Sequence, residues 1–408
     1  MPRNDLSHAD NQKLAVLPES PDARYDRAMP RPRRVEDVLI VDCDVHLHET
    51  PEDLAPYCDM PWRKALEAIA GKDTPASYLD VPGLSPSGSA FEAKFPSTGH
   101  ERHRVVTDAE QMRRELSALG IDIAILFPDN LLFLPLLTQA EYAAAVARAY
   151  NAWLLDRWCV PELGLLGCVV ASPQDPLDAA REIERCARHP GVVAVYLPSI
   201  AVDPLWGNRR YDPIYAAAEA ADLAVMFHSG NVTHPVYPFN NHGFDTTLAR
   251  HGLSHPFSIM ANLTHMVTSG VPVRFPRLRI GVTEAGISWV PFLMYRLDKE
   301  YQENRREVPF LTEPPSAYLK RCYYSTQPIE EPVDLRKVAA LVDLYDGRTQ
   351  TVFASDWPHH DFDHPRQLLR VPFADRVHER ILGLNALELF KIDENARRLD
   401  VHALAAPA

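Results

Sequence analysis

The sequence lacks the cysteine patterns, glycine-rich loops and long apolar runs that define several protein classes. Its six cysteines are scattered over 408 residues without a C-x-x-C pair, which argues against a zinc ribbon or a disulfide framework. No G-x-G-x-x-G or Walker sequence follows a strand-like run, so a nucleotide-binding fold has little support. The most apolar run, Leu131 to Leu137, is interrupted by Pro135, whereas a membrane-spanning helix needs about 20 apolar residues. We therefore expect a soluble globular protein.

Basic charge is also scarce. The 42 Lys and Arg residues are outnumbered by 55 Asp and Glu residues, and the net charge at pH 7 is −13. Because nucleic acids and anionic membranes bind basic faces, neither is an expected partner. The N-terminal segment is polar and proline-rich and has no apolar core of the kind found in secretory signals. We expect a cytoplasmic protein.

Short β-rich runs alternate with helical windows through most of the chain. The eight strand-like runs are Val38-His46, Asp122-Phe127, Leu165-Ala171, Val192-Leu197, Ala224-His228, Arg279-Glu284, Tyr323-Thr326 and Thr351-Ser355. The helical windows are 139–158, 176–188, 211–221, 258–269, 289–304 and 335–344, with a last one at 376–390 that Gly383 interrupts. Strands that alternate with helices run parallel, because each helix returns the chain to the same edge. Eight such units predict an α/β fold, the (β/α)8 TIM barrel, with a doubly wound sheet as the alternative.

Three parts are expected along the chain: a polar N-terminal arm at 1–36, the barrel at 37–395 and a C-terminal tail at 396–408. Two long insertions follow strands 1 and 5, at residues 49 to about 108 and 229 to about 257. Both leave the carboxyl ends of strands, which is the edge where barrel enzymes place their chemistry. We expect the first insertion to cover the site.

The end of the first strand carries the strongest chemical signal. Side chains two apart on a strand share a face, so Asp42, Asp44 and His46 point the same way, and His48 joins them if the strand extends that far. In a barrel, we expect this shared face to be the inner one. Ionisable groups facing a low-dielectric core are costly unless they neutralise one another or hold a cation, so a metal is the simplest interpretation and a polar cluster without metal is the alternative. At least one of the four is expected to orient a ligand rather than to bind metal.

Two further strands end in residues of the same chemistry. His228 closes the apolar fifth strand, and Asp356 closes the eighth. A strand-end His is often structural, and an Asp there is either a metal ligand and base or the cap of the next turn. Together, strands 1, 5 and 8 would deliver carboxylates and imidazoles to one mouth. Such a mixed set suits one divalent ion, zinc or manganese, with iron as a further option.

These motifs resemble the amidohydrolase superfamily, in particular its branch of metal-dependent decarboxylases acting on aminocarboxymuconate semialdehyde and γ-resorcylate. The resemblance covers residues 38 to 395. Its motifs are 42–49, Phe227-His228-Ser229-Gly230, Gly270-Val271, Arg274 to Arg279, Thr283-Glu284-Ala285-Gly286, Trp289-Val290-Pro291, Arg296-Leu297-Asp298, Ser355-Asp356-Trp357-Pro358-His359 and Ile381 to Ala386. Their order and spacing carry the resemblance.

The resemblance implies a ligand set and a departure from it. It assigns the metal to Asp44, His46, His228 and Asp356, with Asp44 where relatives have His or Glu. Glu284 stands where several decarboxylases carry a His, so it is the candidate acid or base together with Asp356. The resemblance also implies a homo-oligomer, a dimer or tetramer, and a small-molecule carboxylate substrate.

Other residues are expected near the substrate or behind the ligands. His359 follows the eighth strand, and Trp62 and Arg63 belong to the first insertion, where an Arg could bind a substrate carboxylate in bidentate fashion. Six histidines fall between positions 228 and 265; of these only His228 is assigned as a ligand, and His265 is expected to be packed in a helix.

The expected activity is decarboxylation of an aromatic or conjugated acid. Metal-dependent hydrolysis of a carbon–carbon, ester, lactone or amide bond is the alternative with the same ligand set. A barrel that binds a ligand without turnover is the alternative from another class.

Overall fold

Eight parallel strands form one sheet in the computed structural model, which describes residues 35–70, 106–230, 244–359 and 361–393. The strands are β1 Val41–Leu47, β2 Ile123–Pro128, β3 Leu165–Val170, β4 Val192–Pro198, β5 Ala224–His228, β6 Ile280–Thr283, β7 Tyr323–Ser325 and β8 Thr351–Val352. Each strand pairs with the next in chain order. The predicted strands are therefore confirmed, with ends that differ by a few residues.

Hydrogen bonds between β1 and the segment after β8 close the sheet into a barrel. The Cys43 amide donates to the Phe353 carbonyl at 3.0 Å, and the His46 amide donates to the Trp357 carbonyl at 2.8 Å. The Asp356 amide returns a bond to the Asp44 carbonyl at 3.1 Å. These bonds confirm the (β/α)8 barrel, and they place the carboxyl ends of β1 and β8 side by side.

The strands are hydrophobic on both faces because helices cover the barrel from outside. All residues of β1 to β6 are buried, as expected for parallel strands that pack against helices on one face and against each other inside. The buried apolar side chains of strands and helices form one continuous core.

Fourteen α-helices are described, and the long ones follow the strands. They are α1 Pro51–Leu54, α2 Trp62–Ile69, α3 Ala109–Ala118, α4 Ala140–Arg157, α5 Pro176–Cys186, α6 Asp212–Ala220, α7 Thr247–Thr268, α8 Val271–Arg274, α9 Trp289–Asn304, α10 Pro315–Leu319, α11 Arg336–Leu344, α12 Pro365–Leu369, α13 Asp375–Glu379 and α14 Asn385–Phe390. Local signals explain their starts: Asp175 accepts a bond from the Asp178 amide, and Pro176 occupies the first turn of α5. Within the described ranges, no helix is both long enough and apolar enough to cross a membrane.

Two helices differ from their predicted forms. The prediction began α7 at Ser258, but it begins at Thr247, where the Thr246 hydroxyl accepts a bond from the Ala249 amide, and it passes through Pro256. Proline usually ends or kinks a helix, but α7 continues through this one. Between α13 and α14, the expected interruption at Gly383 is a single π-helical segment, Arg380–Leu384.

Several predicted segments lie outside the described residues. These are nearly all of the N-terminal arm, the C-terminal tail from 396, residues 71–105 of the first insertion and 231–243 of the second. The predicted cover over the site by residues 49 to 108 stays a prediction.

Candidate metal centre

Acidic and imidazole side chains from three strand ends meet at the carboxyl-terminal mouth of the barrel. Asp44 and His46 lie on β1, His228 ends β5, and Asp356 lies four residues beyond β8. All four are buried, with at most 2% of their surface exposed. Parallel strands bring their carboxyl ends to one rim, so residues far apart in the sequence become neighbours here.

The distances within this group are short. The Nε2 atoms of His46 and His228 are 3.0 Å apart. Asp44 Oδ1 lies 3.3 Å from Nε2 of His46 and 3.2 Å from Nε2 of His228. Asp356 Oδ1 lies 3.2 Å from Nε2 of His46. We call these four residues the mouth cluster.

Hydrogen bonds behind the two imidazoles determine which nitrogen faces the cluster. His46 Nδ1 is 2.8 Å from the Pro128 carbonyl, and His228 Nδ1 is 2.8 Å from the Ser229 carbonyl. A carbonyl only accepts, so each Nδ1 carries the proton and each neutral ring presents the lone pair of Nε2. Two lone pairs only 3.0 Å apart repel each other unless a cation stands between them. The backbone therefore arranges both rings to share a proton or a metal ion.

Each carboxylate of the cluster is also held from behind. The Thr283 hydroxyl donates to Asp44 Oδ2 at 2.6 Å, and the Gln327 side-chain amide donates to Asp356 Oδ2 at 3.1 Å. Oδ1 of each carboxylate therefore faces the other residues of the cluster. Such outer hydrogen bonds are typical of residues that orient metal ligands.

The donor atoms fit a divalent metal ion. One potential ligand atom each from Asp44, His46 and His228 lies within 4.8 Å of the others, and the same holds for His46, Asp356 and His359. Ligands of an ion with bonds of about 2.1 Å lie about 3.0 Å apart in an octahedron and about 3.4 Å apart in a tetrahedron, close to the separations seen here. Imidazole with carboxylate suits zinc, manganese or iron.

Charge compensation explains the protonation of the cluster. Burial lowers the pKa of the His46 imidazole, but Asp44 and Asp356 outweigh burial and hold that pKa well above its usual range. Burial raises the pKa of Asp44, and the adjacent imidazoles reverse the effect and lower it. The carboxylates are thus ionised, and they require a positive partner at this position.

Asp42 lies behind the cluster rather than in it. Its Oδ1 accepts from the Ser355 amide at 2.9 Å and from the Asp44 amide at 3.1 Å, and its Oδ2 accepts from the Ser355 hydroxyl. Burial raises its pKa to about 8, although the bonds from Ser355 oppose that shift. Asp42 therefore ties the end of β1 to the segment after β8, on which Asp356 lies.

The position of His48 differs from the inward position considered from strand periodicity. β1 ends at Leu47, so the alternation of faces stops there, and the side chain of His48 is 45% exposed. Glu49 is buried instead, where its carboxylate accepts the amides of Asp129 and Leu131. His48 Nδ1 lies 2.7 Å from Asp129 Oδ2.

His359 links the cluster to Asp129. Its Nδ1 is 2.6 Å from Asp356 Oδ1, and its Nε2 is 3.4 Å from Asp129 Oδ1. Burial lowers the pKa of His359, but these two carboxylates outweigh burial and raise it well above the usual value. Through His48, a row of alternating carboxylates and imidazoles runs from the buried Asp356 to the surface.

Glu284 lies beside the cluster on the turn after β6. Its Oε2 is 3.3 Å from His228 Nδ1 and accepts the Ser229 hydroxyl at 3.1 Å. Burial, followed by the charge of Asp356, raises the pKa of Glu284 well above its usual range. Glu284 and Asp356 have φ angles of 57° and 61°, in the left-handed region that side chains disfavour. Such strain is often found at functional sites, where the surrounding structure enforces it.

Trp62 and Arg63, both on α2, contact residues of neighbouring segments. The Trp62 ring packs 5.5 Å from the Tyr142 ring of α4. Arg63 donates to the carbonyls of Cys58 at 2.9 Å and Pro56 at 3.3 Å. These contacts stabilise the described start of the first insertion, and none of them involves the mouth cluster.

The sequence interpretation gave no role at the site to four residues that surround the cluster, and it left His255 only as one of several histidines that could contact substrate. The four are Glu49, Asp129, Thr283 and Gln327. Asp129 directly follows β2, so the strand-end rule applied to Asp356 would have found it. Thr283 stands in one of the family motifs, but nothing in the local sequence gives a role to Thr283 or Gln327, because their importance depends on the partner across the barrel.

Known proteins resemble this chain over most of its length. The family model described as amidohydrolase matches residues 43–392. A γ-resorcylate decarboxylase from Polaromonas sp. is 23% identical over 311 residues, which cover 72% of this chain and 90% of that protein.

Solved structures share the fold. An amidohydrolase from Mycobacterium avium subsp. paratuberculosis superposes with a TM-score of 0.67 at 20% identity, over 87% of this chain and 99% of its own. A dihydroxybenzoic acid decarboxylase from Polaromonas sp., solved with manganese and the inhibitor 2-nitroresorcinol, has a TM-score of 0.64 at 17% identity, over 88% and 99% of the two chains.

Proposed function

Because the chain belongs to the amidohydrolase family, we propose that it is a metal-dependent carboxy-lyase that removes CO2 from an aromatic carboxylic acid. The observation that carries the proposal is the convergence of donor atoms at the mouth of the barrel: the Nε2 atoms of His46 and His228 lie 3.0 Å apart, and carboxylate oxygens of Asp44 and Asp356 lie within 3.3 Å of His46 Nε2. Relatives named γ-resorcylate decarboxylase support the reaction class.

Asp44, His46, His228 and Asp356 are the proposed ligands of one divalent ion. Two carboxylates with two imidazoles suit manganese or zinc, with iron as a further option, and the carboxylate of Asp44 favours a harder ion such as manganese. When bound, the ion supplies Lewis acidity, which draws electron density from a substrate oxygen next to the bond that breaks. Thr283 and Gln327 keep the two carboxylates in position.

The protein's own residues must deliver a proton. In decarboxylation the bond between the ring carbon and the carboxylate carbon breaks, CO2 leaves, and the ring carbon takes up one proton. Asp356 and Glu284 are the proposed carriers, because both are buried carboxyl groups at the mouth; Glu284 would give up its own proton, whereas Asp356, which is ionised, would first have to take one up. The raised pKa of Glu284 favours its protonated form, which is the form a donor needs.

A turnover assay tests the reaction class. The purified protein, loaded with manganese or zinc, is incubated with a panel of hydroxybenzoates, and both CO2 and the decarboxylated phenol are measured. We expect both products in equal amounts, and none from His228→Ala. Ester, lactone and amide substrates run in parallel examine hydrolysis. Products from that panel alone would contradict the proposal.

The chain is also proposed to form a homo-oligomer in the cytoplasm, with the arm at 1–36 contacting a neighbour. Phe292 and Tyr295 of α9 are 61% and 58% exposed, and Leu344 of α11 is 55% exposed. The Tyr295 hydroxyl donates to the Leu344 carbonyl at 3.0 Å, so these apolar side chains adjoin and could meet a second copy. Light scattering of the full chain and of a chain without residues 1–35 tests this, and a monomer in both would reject it.

A further inference from the structure

His255 is a buried imidazole without a hydrogen bond near the mouth cluster. Only 2% of the residue is exposed, and among the described residues neither ring nitrogen has a hydrogen-bond partner. A buried polar group without a partner opposes folding, so such groups in native proteins usually serve a bound molecule or a function. The ring therefore needs an explanation that folding alone does not provide.

The polar face of α7 holds this imidazole in place. Two other polar residues of that face are paired: the Ser258 hydroxyl lies 2.9 Å from the Ser199 hydroxyl, and the Asn262 side chain donates to the Ser199 carbonyl at 3.0 Å. His255 lies one turn before Ser258, so the same face carries it to the mouth. On its outer side the ring packs against His251, with centroids 4.4 Å apart.

The inner side of the ring faces Glu284. His255 Nε2 lies 3.9 Å from Glu284 Oε1, which is too far for a hydrogen bond. The other oxygen of this carboxyl group contacts Ser229 and His228. A third polar atom at an ordinary distance of about 2.8 Å from both Nε2 and Oε1 would bridge the gap. The gap lies beside the mouth cluster, because His228 of that cluster contacts the other oxygen of Glu284.

We propose that His255 and Glu284 bind a hydroxyl group of the substrate, at a position on the ring other than that held at the mouth cluster. This inference rests on the proposed function and narrows its substrate class to aromatic acids with an additional hydroxyl. A hydroxyl fits because it accepts one bond from imidazole and donates another to a carboxyl oxygen. A second carboxylate can only accept hydrogen bonds, so it cannot bridge the two groups by accepting one bond and donating another as a hydroxyl does. Burial, together with the neighbouring His251, lowers the pKa of His255 and keeps the ring neutral, with one donor and one acceptor.

Binding of matched nitrophenols to the metal-loaded protein tests the proposal without turnover. 2-Nitrophenol is the parent probe, and 2-nitroresorcinol, 3-nitrocatechol and nitrohydroquinone each add one hydroxyl at a different ring position. Calorimetry with the full chain gives the dissociation constants. We expect one of the three to bind about tenfold more tightly than the parent, because a hydrogen bond in a buried site has about this effect.

Variants of His255 identify the cause of that preference. His255→Phe keeps a ring and removes both polar atoms. The tenfold preference for the hydroxylated probe should therefore disappear, while 2-nitrophenol binds as before. His255→Gln can still hydrogen-bond and should keep part of the preference, which also covers the case in which the Phe variant folds poorly. His265→Phe, on the same helix ten residues further on, is the control and should behave like the wild type.

The outcomes separate two kinds of failure. If 2-nitrophenol binds and no additional hydroxyl improves binding, or if His255→Phe retains the preference, the inference is overturned and the proposed function stands. If the metal-loaded protein binds none of the probes and releases no CO2 from hydroxybenzoates, the proposed function fails and the inference falls with it.

Discussion

The hydroxyl of Thr283 should control metal affinity, although it is not a proposed ligand. It donates to Asp44 Oδ2 at 2.6 Å inside the barrel, where water cannot replace it. A hydrogen bond to a charged group contributes about 1.5–3 kcal/mol. Because about 1.4 kcal/mol corresponds to a factor of ten, Thr283→Val should weaken metal binding by about 10- to 100-fold. The same range is typical when partners behind metal ligands are removed.

Competition with a chromogenic chelator measures this change as a ratio of dissociation constants for manganese or zinc. Thr351→Val is the matched control: Thr351 is also a fully buried strand threonine, and its hydroxyl donates to the Gly347 carbonyl at the far end of β8. The control should lose stability in urea and keep its metal affinity. If Thr283→Val binds metal as tightly as the wild type, Asp44 is not a ligand oriented by this hydroxyl, and the reasoning is refuted.

Three further predictions concern the same site. The Glu284→Gln variant should keep its metal and show a kcat lowered by about 100-fold, the usual scale for loss of a general acid or base. Metal analysis and turnover measurements test this, and loss of the metal would instead identify Glu284 as a ligand. Asp42 has a pKa raised to about 8 by burial, so its contribution to stability is present at low pH and is lost as the pH rises towards 8. In urea titrations at pH 5, 7 and 9, the wild type should therefore lose stability relative to Asp42→Asn, by at most about 1.4 kcal/mol per pH unit, and parallel curves would contradict this. Chelation should lower the unfolding temperature, and a metal excess of 100 times Kd should restore about 2.7 kcal/mol; the His228→Ala, Asp356→Ala double variant should show no such response.

Backbone periodicity accounts for the accurate part of the sequence interpretation. Eight β-rich runs alternating with helices predict a barrel because the connections force the strands to be parallel, and the eight observed strands follow the predicted order. The same rule brings the ends of β1, β5 and β8 together. It therefore places Asp44, His46, His228 and Asp356, the set that the family resemblance selects, close together, as the distances between them show.

Periodicity fails where an element ends or where tertiary contacts override local preferences. His48 was considered part of the inward face, but the strand stops at Leu47 and the side chain turns outward to Asp129. The start of α7 was placed eleven residues too late, at Ser258 instead of Thr247. His255, one of the six histidines noted between positions 228 and 265, lies in the part of the helix that the prediction omitted.

By itself, the sequence determined the barrel and the strand ends that meet at its mouth, because parallel strands bring residues that are far apart in the chain to one rim. The choice of Asp44, His46, His228 and Asp356 among the residues at those ends came from the family resemblance. Only the tertiary structure decided how those residues are used. Carbonyls of Pro128 and Ser229 select the nitrogen that each imidazole turns inward, and hydroxyl and amide groups from other strands orient the carboxylates. His255 reaches Glu284 from a helix rather than from a strand end. Such pairings depend on distances across the barrel, and those distances exist only once the chain has folded.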